Sequence, residues 1–224
     1  MLALAVKLLF APVFVIGTYL IQRRFGARWG GISMAVPFIL APILIVIYIE
    51  QGSDFLYSSI VGSYAGQIAL LFFIATYARM APRFNWSICI VSATSVFLIS
   101  VAVLSPLINE LWVGIALWII VWSISLKKFV VYDRNTKLPT APKWDIWLRV
   151  ASALLLIFTI TQFAENLGPR LSGAFATYPV MTSIMTTFNH YRFGPNSSTA
   201  LMHGLLQYLP ATSLLILPLA ALLI

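Results

Sequence analysis

Runs free of Asp, Glu, Lys and Arg divide the chain into eight windows: 8–22, 29–49, 55–78, 84–109, 111–126, 150–164, 171–191 and 193–224. Each is almost wholly apolar, and most approach the ~20 residues of helix that cross a bilayer core. The three shorter windows each gain a turn from their flanks, where Lys7, Glu110 and Arg149 can snorkel toward the interface. Residues 84–126 read as two spans, because Ser105, Pro106, Asn109 and Glu110 interrupt them. The pattern predicts an all-α polytopic membrane protein of about eight transmembrane helices.

Composition agrees with that pattern. Hydrophobic residues make up 61% of the 224 positions, charged residues only 9%, and the mean hydropathy is +0.95. A soluble domain carries about 25% charged residues, so that class is excluded. The formal net charge of +8 raises the question of nucleic acid. Basic residues interleaved between apolar spans instead report topology, and nucleic acid is set aside.

With eight spans, twelve of the 14 Lys and Arg residues fall on one side: Arg23, Arg24, Arg28, Arg79, Arg83, Lys127, Lys128, Arg134, Lys137, Lys143, Arg149 and Arg192. Only Lys7 and Arg170 fall on the other. The positive-inside rule then predicts a cytoplasmic basic side and both termini outside, in a bacterial inner membrane. Trp29, Trp86, Trp144 and Trp147 are expected near the inner interface and Trp112 near the outer one. The first apolar stretch lacks a basic leader and a small-residue cleavage site, so it reads as a retained span. The single cysteine, Cys89, allows no internal disulfide and no cysteine metal site.

Residues 127–145 form the one long polar segment and read as a cytoplasmic linker, with Pro139 and Pro142 opposing helix near its end. A plain tether accounts for its modest charge. The rest of the chain divides into a first unit of three spans at 1–80, two intervening spans at 81–126, and a second unit of three spans at 146–224.

The two units are related. Displacing the chain by 142 residues places Gly26 on Gly168, Arg28 on Arg170, Gly31 on Gly173, Pro37 on Pro179, Gly52 on Gly194 and Gly62 on Gly204, without gaps. All four glycines of residues 143–220 land on glycines of residues 1–78. Five spans separate equivalent helices, an odd number, so the units point in opposite directions. Inverted repeats of this kind recur in secondary transporters, where a pseudo-twofold axis in the membrane plane makes inward-open and outward-open states nearly equivalent. A duplication kept for packing alone is the alternative.

The second unit carries Ser172-Gly173-Ala174-Phe175-Ala176-Thr177-Tyr178-Pro179, preceded by Arg149 and followed by Tyr208-Leu209-Pro210. Over residues 149–215 this resembles small bacterial inner-membrane proteins of the GlpM and YdgC type. It departs from their pattern after the proline, where Val180 stands in place of an aromatic residue. The resemblance implies fold more than function: the chain looks like two such units fused in opposite orientation.

Candidate chemistry follows from the spacing. Pro37 and Pro179 lie nine residues beyond Arg28 and Arg170, about 13 Å along a helix and hence near the midplane. With Gly31 and Gly173 they mark spans two and seven as kinked or discontinuous helices, the usual gating and binding elements of such carriers. In span seven, Pro179, Thr182, Ser183, Thr186, Thr187 and His190 share one helical face. Thr199, His203 and Gln207 continue the stripe on span eight, and Ser33, Ser59, Ser63, Tyr64 and Gln67 form a thinner counterpart. The stripe lines either a polar path or a tight interhelical contact.

Arg28 and Arg170 are candidate donors to an anionic substrate at each mouth. Glu50 aligns with Arg192 across the repeat, and Glu50 or His190 is the candidate ion-coupling group. His190, His203, Glu50 and Glu165 are the residues an intramembrane enzyme would use, but no HExxH or HxxxH spacing and no Ser, His and Asp grouping occurs. No metal and no cofactor is implied. The expected function is a small secondary transporter of an anionic or polyhydroxy solute; the alternative is a structural or accessory subunit of an envelope or polysaccharide assembly. Its partners are the lipid bilayer, the solute and, as a candidate, a second copy in a homodimer.

Overall fold

A computed structural model describes residues 2–36, 45, 48–130, 132, 133, 142, 144–164 and 178–222, with side chains of 2–8 and 160–164 excepted. Helix α1 spans Leu2–Phe25, α2 Ala27–Ala35, α3 Ser53–Met80, α4 Trp86–Leu104, α5 Leu111–Lys127, α6 Asp145–Ala164, α7 Val180–Phe193 and α8 Pro195–Pro210. A π-helical turn, Ala211–Ile216, joins α8 to α9, Leu217–Leu222. No strand occurs among the described residues. Among the described residues, three helical stretches are long and apolar enough to cross a membrane: Ser53–Met80, Trp86–Leu104 and Pro195–Leu222. At 1.5 Å per residue the two 28-residue stretches reach about 42 Å, beyond the ~30 Å hydrocarbon core.

Packing identifies the solvent. Helix α4 exposes Val91, Ile99 and Val103, and α5 exposes Trp112, Ile120 and Ile124, at 51–68% of their surfaces. Whole apolar helix faces left bare in this way fit lipid and would aggregate in water. The chain is a helical membrane protein.

Two apolar clusters fill the interior. Helices α3, α4 and α5 form the larger with α8, around Ile60, Tyr64, Leu71, Phe97 and Trp118. The smaller joins α1, α2, α6 and α7 through Val15, Ala153 and Met185. Helix α8 belongs to both: Leu201 faces the smaller cluster, while Met202, Leu205 and Leu206 face the larger.

Local chemistry explains the helix ends. The Asn85 side chain accepts from the Ile88 amide at 3.0 Å and caps α4. Gly52 and Gly194 introduce α3 and α8 with nearly identical backbones, φ 81° and ψ −179° against φ 83° and ψ 174°. Side-chain-bearing residues avoid that region. These glycines are 142 residues apart, so α3 and α8 start at the displacement of the sequence repeat.

Helices α2 and α8 cross in backbone contact. A Cβ on Gly31 would collide with the Leu201 carbonyl, and one on Gly204 with the Arg28 carbonyl. Beyond that crossing, prolines strip α8 of internal hydrogen bonds, and side chains from other helices replace them. Pro210 has no N–H for the Leu206 carbonyl, which accepts instead from the Trp122 indole at 2.8 Å. In the π register Pro218 likewise leaves the Ser213 carbonyl, which accepts from the Tyr64 hydroxyl at 2.6 Å.

Two sequence expectations change. Arg149 does not snorkel: its side chain is fully buried, because Asp145 one turn earlier and Asn189 on α7 supply partners. The linker is also more than a tether. Asn196 clamps Asp133, accepting from its amide at 2.8 Å and donating to its carbonyl at 2.9 Å, while Tyr132 reaches His203 on α8.

Candidate functional site

The densest buried polar cluster lies where α1, α6 and α7 meet. Asp145 opens α6, where a carboxylate suits the positive end of the helix dipole. Arg149 follows at i+4 on the same face, and its Nε donates to Asp145 Oδ2 at 2.8 Å. Arg192, in the last turn of α7, donates from Nε to Asp145 Oδ1 at 3.2 Å. One carboxylate therefore serves two guanidinium groups. Asp145 and Arg149 are 0% exposed, whereas the Arg192 side chain is 23% exposed.

The Arg149 guanidinium is held on nearly every side. Its Nη1 lies 3.2 Å from Asn189 Oδ1 and 3.6 Å from Met185 Sδ. Tyr19 and Phe188 lie 5.3 and 4.9 Å from it, ring centroid to Cζ, within cation–π range. Asn189 is fixed in turn by a reciprocal amide pair with Gln22, at 3.0 and 3.3 Å. Arg149 Nη2 is buried and has no hydrogen-bond partner. The Thr186 hydroxyl, on α7 between Met185 and Asn189, is also buried without one. Toward the exposed side, Arg192 lies 4.5 Å from the Trp144 ring.

The residues singled out by spacing fall into several places. Arg28 and Gln207 do come together: Arg28 Nε and Nη2 donate to Gln207 Oε1 at 3.1 and 2.7 Å across the α2–α8 crossing. His190 pairs through Nδ1 with the buried Tyr77 hydroxyl at 3.2 Å. His203 pairs through Nδ1 with Tyr132 at 2.8 Å, beside the Phe129 ring. Gln67 accepts from Ser213 at 3.2 Å. Thr182, Ser183, Thr186 and His190 are all buried, so the stripe on α7 faces protein. Ser183 donates to Tyr178, whose hydroxyl also pairs with Thr94.

Pro179 caps the start of α7, and α2 stops at Ala35 with Val36 extended, so both elements end or begin where the prolines were expected to act. Glu50 is exposed. Pro37, Arg170, Gly173 and most of the stretch carrying the family resemblance, 172–177, lie outside the described residues, as does Glu165. Among the thinner stripe, Ser59 and Ser63 donate back to their own helix, to the carbonyls of Phe55 and Ile60. An open cavity of about 630 Å³ lies elsewhere, beside Gly62, with Asp54, Tyr57, Ser59 and Asn109 on its wall.

Spacing missed Asp145, Arg149, Asn189, Arg192 and Gln22 as a group. A signal existed: Asp145 and Arg149 are opposite charges one helical turn apart at the head of an apolar span, and Asn189 sits at i+3 from Thr186 on the stripe. No family model matches the chain, and neither the curated proteins nor the solved structures include a match.

Proposed function

We propose that the protein is a small secondary transporter of the inner membrane, moving a small anionic or polyhydroxy solute by alternating access. Eight spans with both termini outside are built as two units of opposite orientation, 1–80 and 146–224. The observation that carries this reading is the glycine pair at the repeat's displacement: Gly52 and Gly194, 142 residues apart, introduce α3 and α8 with the same unusual backbone. Helix ends beside the prolines support it, since α2 stops at Ala35, ahead of Pro37, and α7 starts directly after Pro179. So does the buried ion cluster, because ionised side chains inside a membrane bundle mark a functional site by default. The resemblance to GlpM and YdgC type proteins is part of the same proposal and bears on fold.

In this reading Arg28 with Gln207, the stripe Thr182, Thr186 and His190, and His203 form the solute path, with Gln67 beside the π-helical turn. Arg170 guards the second mouth, Gly31, Pro37, Gly173 and Pro179 supply the gating breaks, and Glu50 or His190 couples the ion.

The test starts with topology. Cys89→Ser is combined with Ser53→Cys or Pro195→Cys, and each variant is exposed to an impermeant thiol reagent from either side of the membrane. Labelling from opposite sides is expected. Labelling of both from one side overturns the inverted arrangement and brings the accessory-subunit reading forward. Proteoliposome flux then tests transport: Arg28→Ala and His190→Ala abolish uptake of the solute without lowering the amount of folded protein.

A further inference from the structure

Donors and positive charge exceed acceptors around Arg149, and that imbalance defines a ligand. Two guanidinium groups share the one carboxylate of Asp145, leaving a net charge of +1 in a region where two of the three ionised groups are fully buried. The acceptors nearby are already used: Asn189 Oδ1 accepts from both Gln22 and Arg149, and Gln22 Oε1 accepts from Asn189. Arg149 Nη2 and the Thr186 hydroxyl remain as buried donors with nothing to donate to. A water molecule would satisfy a donor but not the charge, and an uncompensated buried charge is far costlier than an unpaired polar group.

The guanidinium is also preorganised. Tyr19 and Phe188 flank it, and Asp145, Asn189 and Met185 hold Nε and Nη1, so Nη2 alone is left without an acceptor. Planar donors fixed in this way match the oxygens of a carboxylate or a phosphate. Arg192, partly exposed against Trp144, shares Asp145 with it and forms the outer step of a two-arginine approach.

We propose that Arg149 and Arg192 form an oxyanion-binding site at the junction of α1, α6 and α7, in which Arg149 Nη2 donates to a carboxylate or phosphate oxygen. This deepens the transport reading by naming the substrate class, and it rests on that reading for the site's role but not for its existence. The same oxygen chemistry is offered by a soluble anion and by the phosphodiester of an anionic lipid headgroup.

Full-length protein in dodecyl maltoside is titrated calorimetrically with inorganic phosphate, with succinate, and with phosphatidylglycerol in mixed micelles. One-site saturable binding of at least one probe is expected. Arg149→Lys keeps the charge and removes the fork, and weakens that binding about tenfold or more; Arg83→Lys, at an exposed position between α3 and α4, leaves it unchanged. Binding of phosphate or succinate assigns the site to a soluble anion. Binding of phosphatidylglycerol alone, with the same loss in Arg149→Lys, assigns it to lipid.

Absence of saturable binding by all three probes overturns the site, as does equal affinity in the wild type and Arg149→Lys. If Arg149→Lys gives no folded protein, Arg192→Gln takes its place, and unaltered affinity there overturns the site in the same way. Because no gradient is present, a failure of solute flux with binding intact removes the transporter reading and leaves the oxyanion site standing.

Discussion

At the scale of single residues, the Asp145 carboxylate holds the most consequential position. Asp145→Asn leaves two guanidinium groups without a counter-charge, one of them fully buried. Breaking a buried pair from one side costs about 3–5 kcal/mol. Thermal unfolding in detergent is expected to show that loss for Asp145→Asn and a much smaller one for Asp145→Leu combined with Arg149→Met, which removes both ions together. The double variant is then a folded protein without the guanidinium fork, and it loses anion binding. Charge pairing of this kind was only half written in the sequence. The Asp145–Arg149 spacing is local, but Asn189 lies 40 residues from Arg149 and 167 from Gln22, and no periodicity within one helix announces such partners.

At the scale of elements, most helices were legible. The charge-free windows 55–78 and 111–126 lie within one or two residues of α3 and α5, because charge marks where an apolar helix meets water or headgroups. Other features were hidden. Spacing alone left Pro179 as either a kink or a break, and α7 starts directly after it. The docking of Tyr132 and Asp133 onto α8 depends on Asn196 and His203, more than 60 residues away.

The repeated glycines were legible as a pattern but not by purpose: Gly194 breaks the chain, while Gly204 lets α8 touch α2. Gly204→Ala drives a methyl group into the Arg28 carbonyl, and overpacking of that kind costs about 1–3 kcal/mol. Gly17→Ala, which meets no described atom within 4 Å, is the control and is expected to unfold at the wild-type temperature or slightly above. Trp122→Phe keeps the aromatic ring and strands the Leu206 carbonyl left free by Pro210, costing about 1–3 kcal/mol. The same unfolding measurement checks all three.

At the scale of the whole molecule, the two apolar clusters do not coincide with the two sequence units. Helix α3 of the first unit packs with α4, α5 and the inner face of α8, while α1 and α2 pack with α6, α7 and the opposite face of α8. Intertwining follows from the need of every helix in lipid to satisfy its polar groups against neighbours. A polypeptide ending after the first unit therefore lacks partners for both of its faces. Expression of residues 1–80 alone is expected to give protein that protease in detergent degrades much faster than the full chain.

The crossing of α2 and α8 sets which parts travel together. Gly31 and Gly204 bring main chain against main chain, and the Arg28–Gln207 bond pins the crossing beside them. With no side chain between them to change rotamer, the two helices behave as one bar made from both halves of the sequence. A rearrangement that keeps this bar intact turns at Gly26 and Gly194, whose positive φ values set the joints where α2 and α8 begin. The bar is a mixed piece, one helix taken from near each end of the sequence.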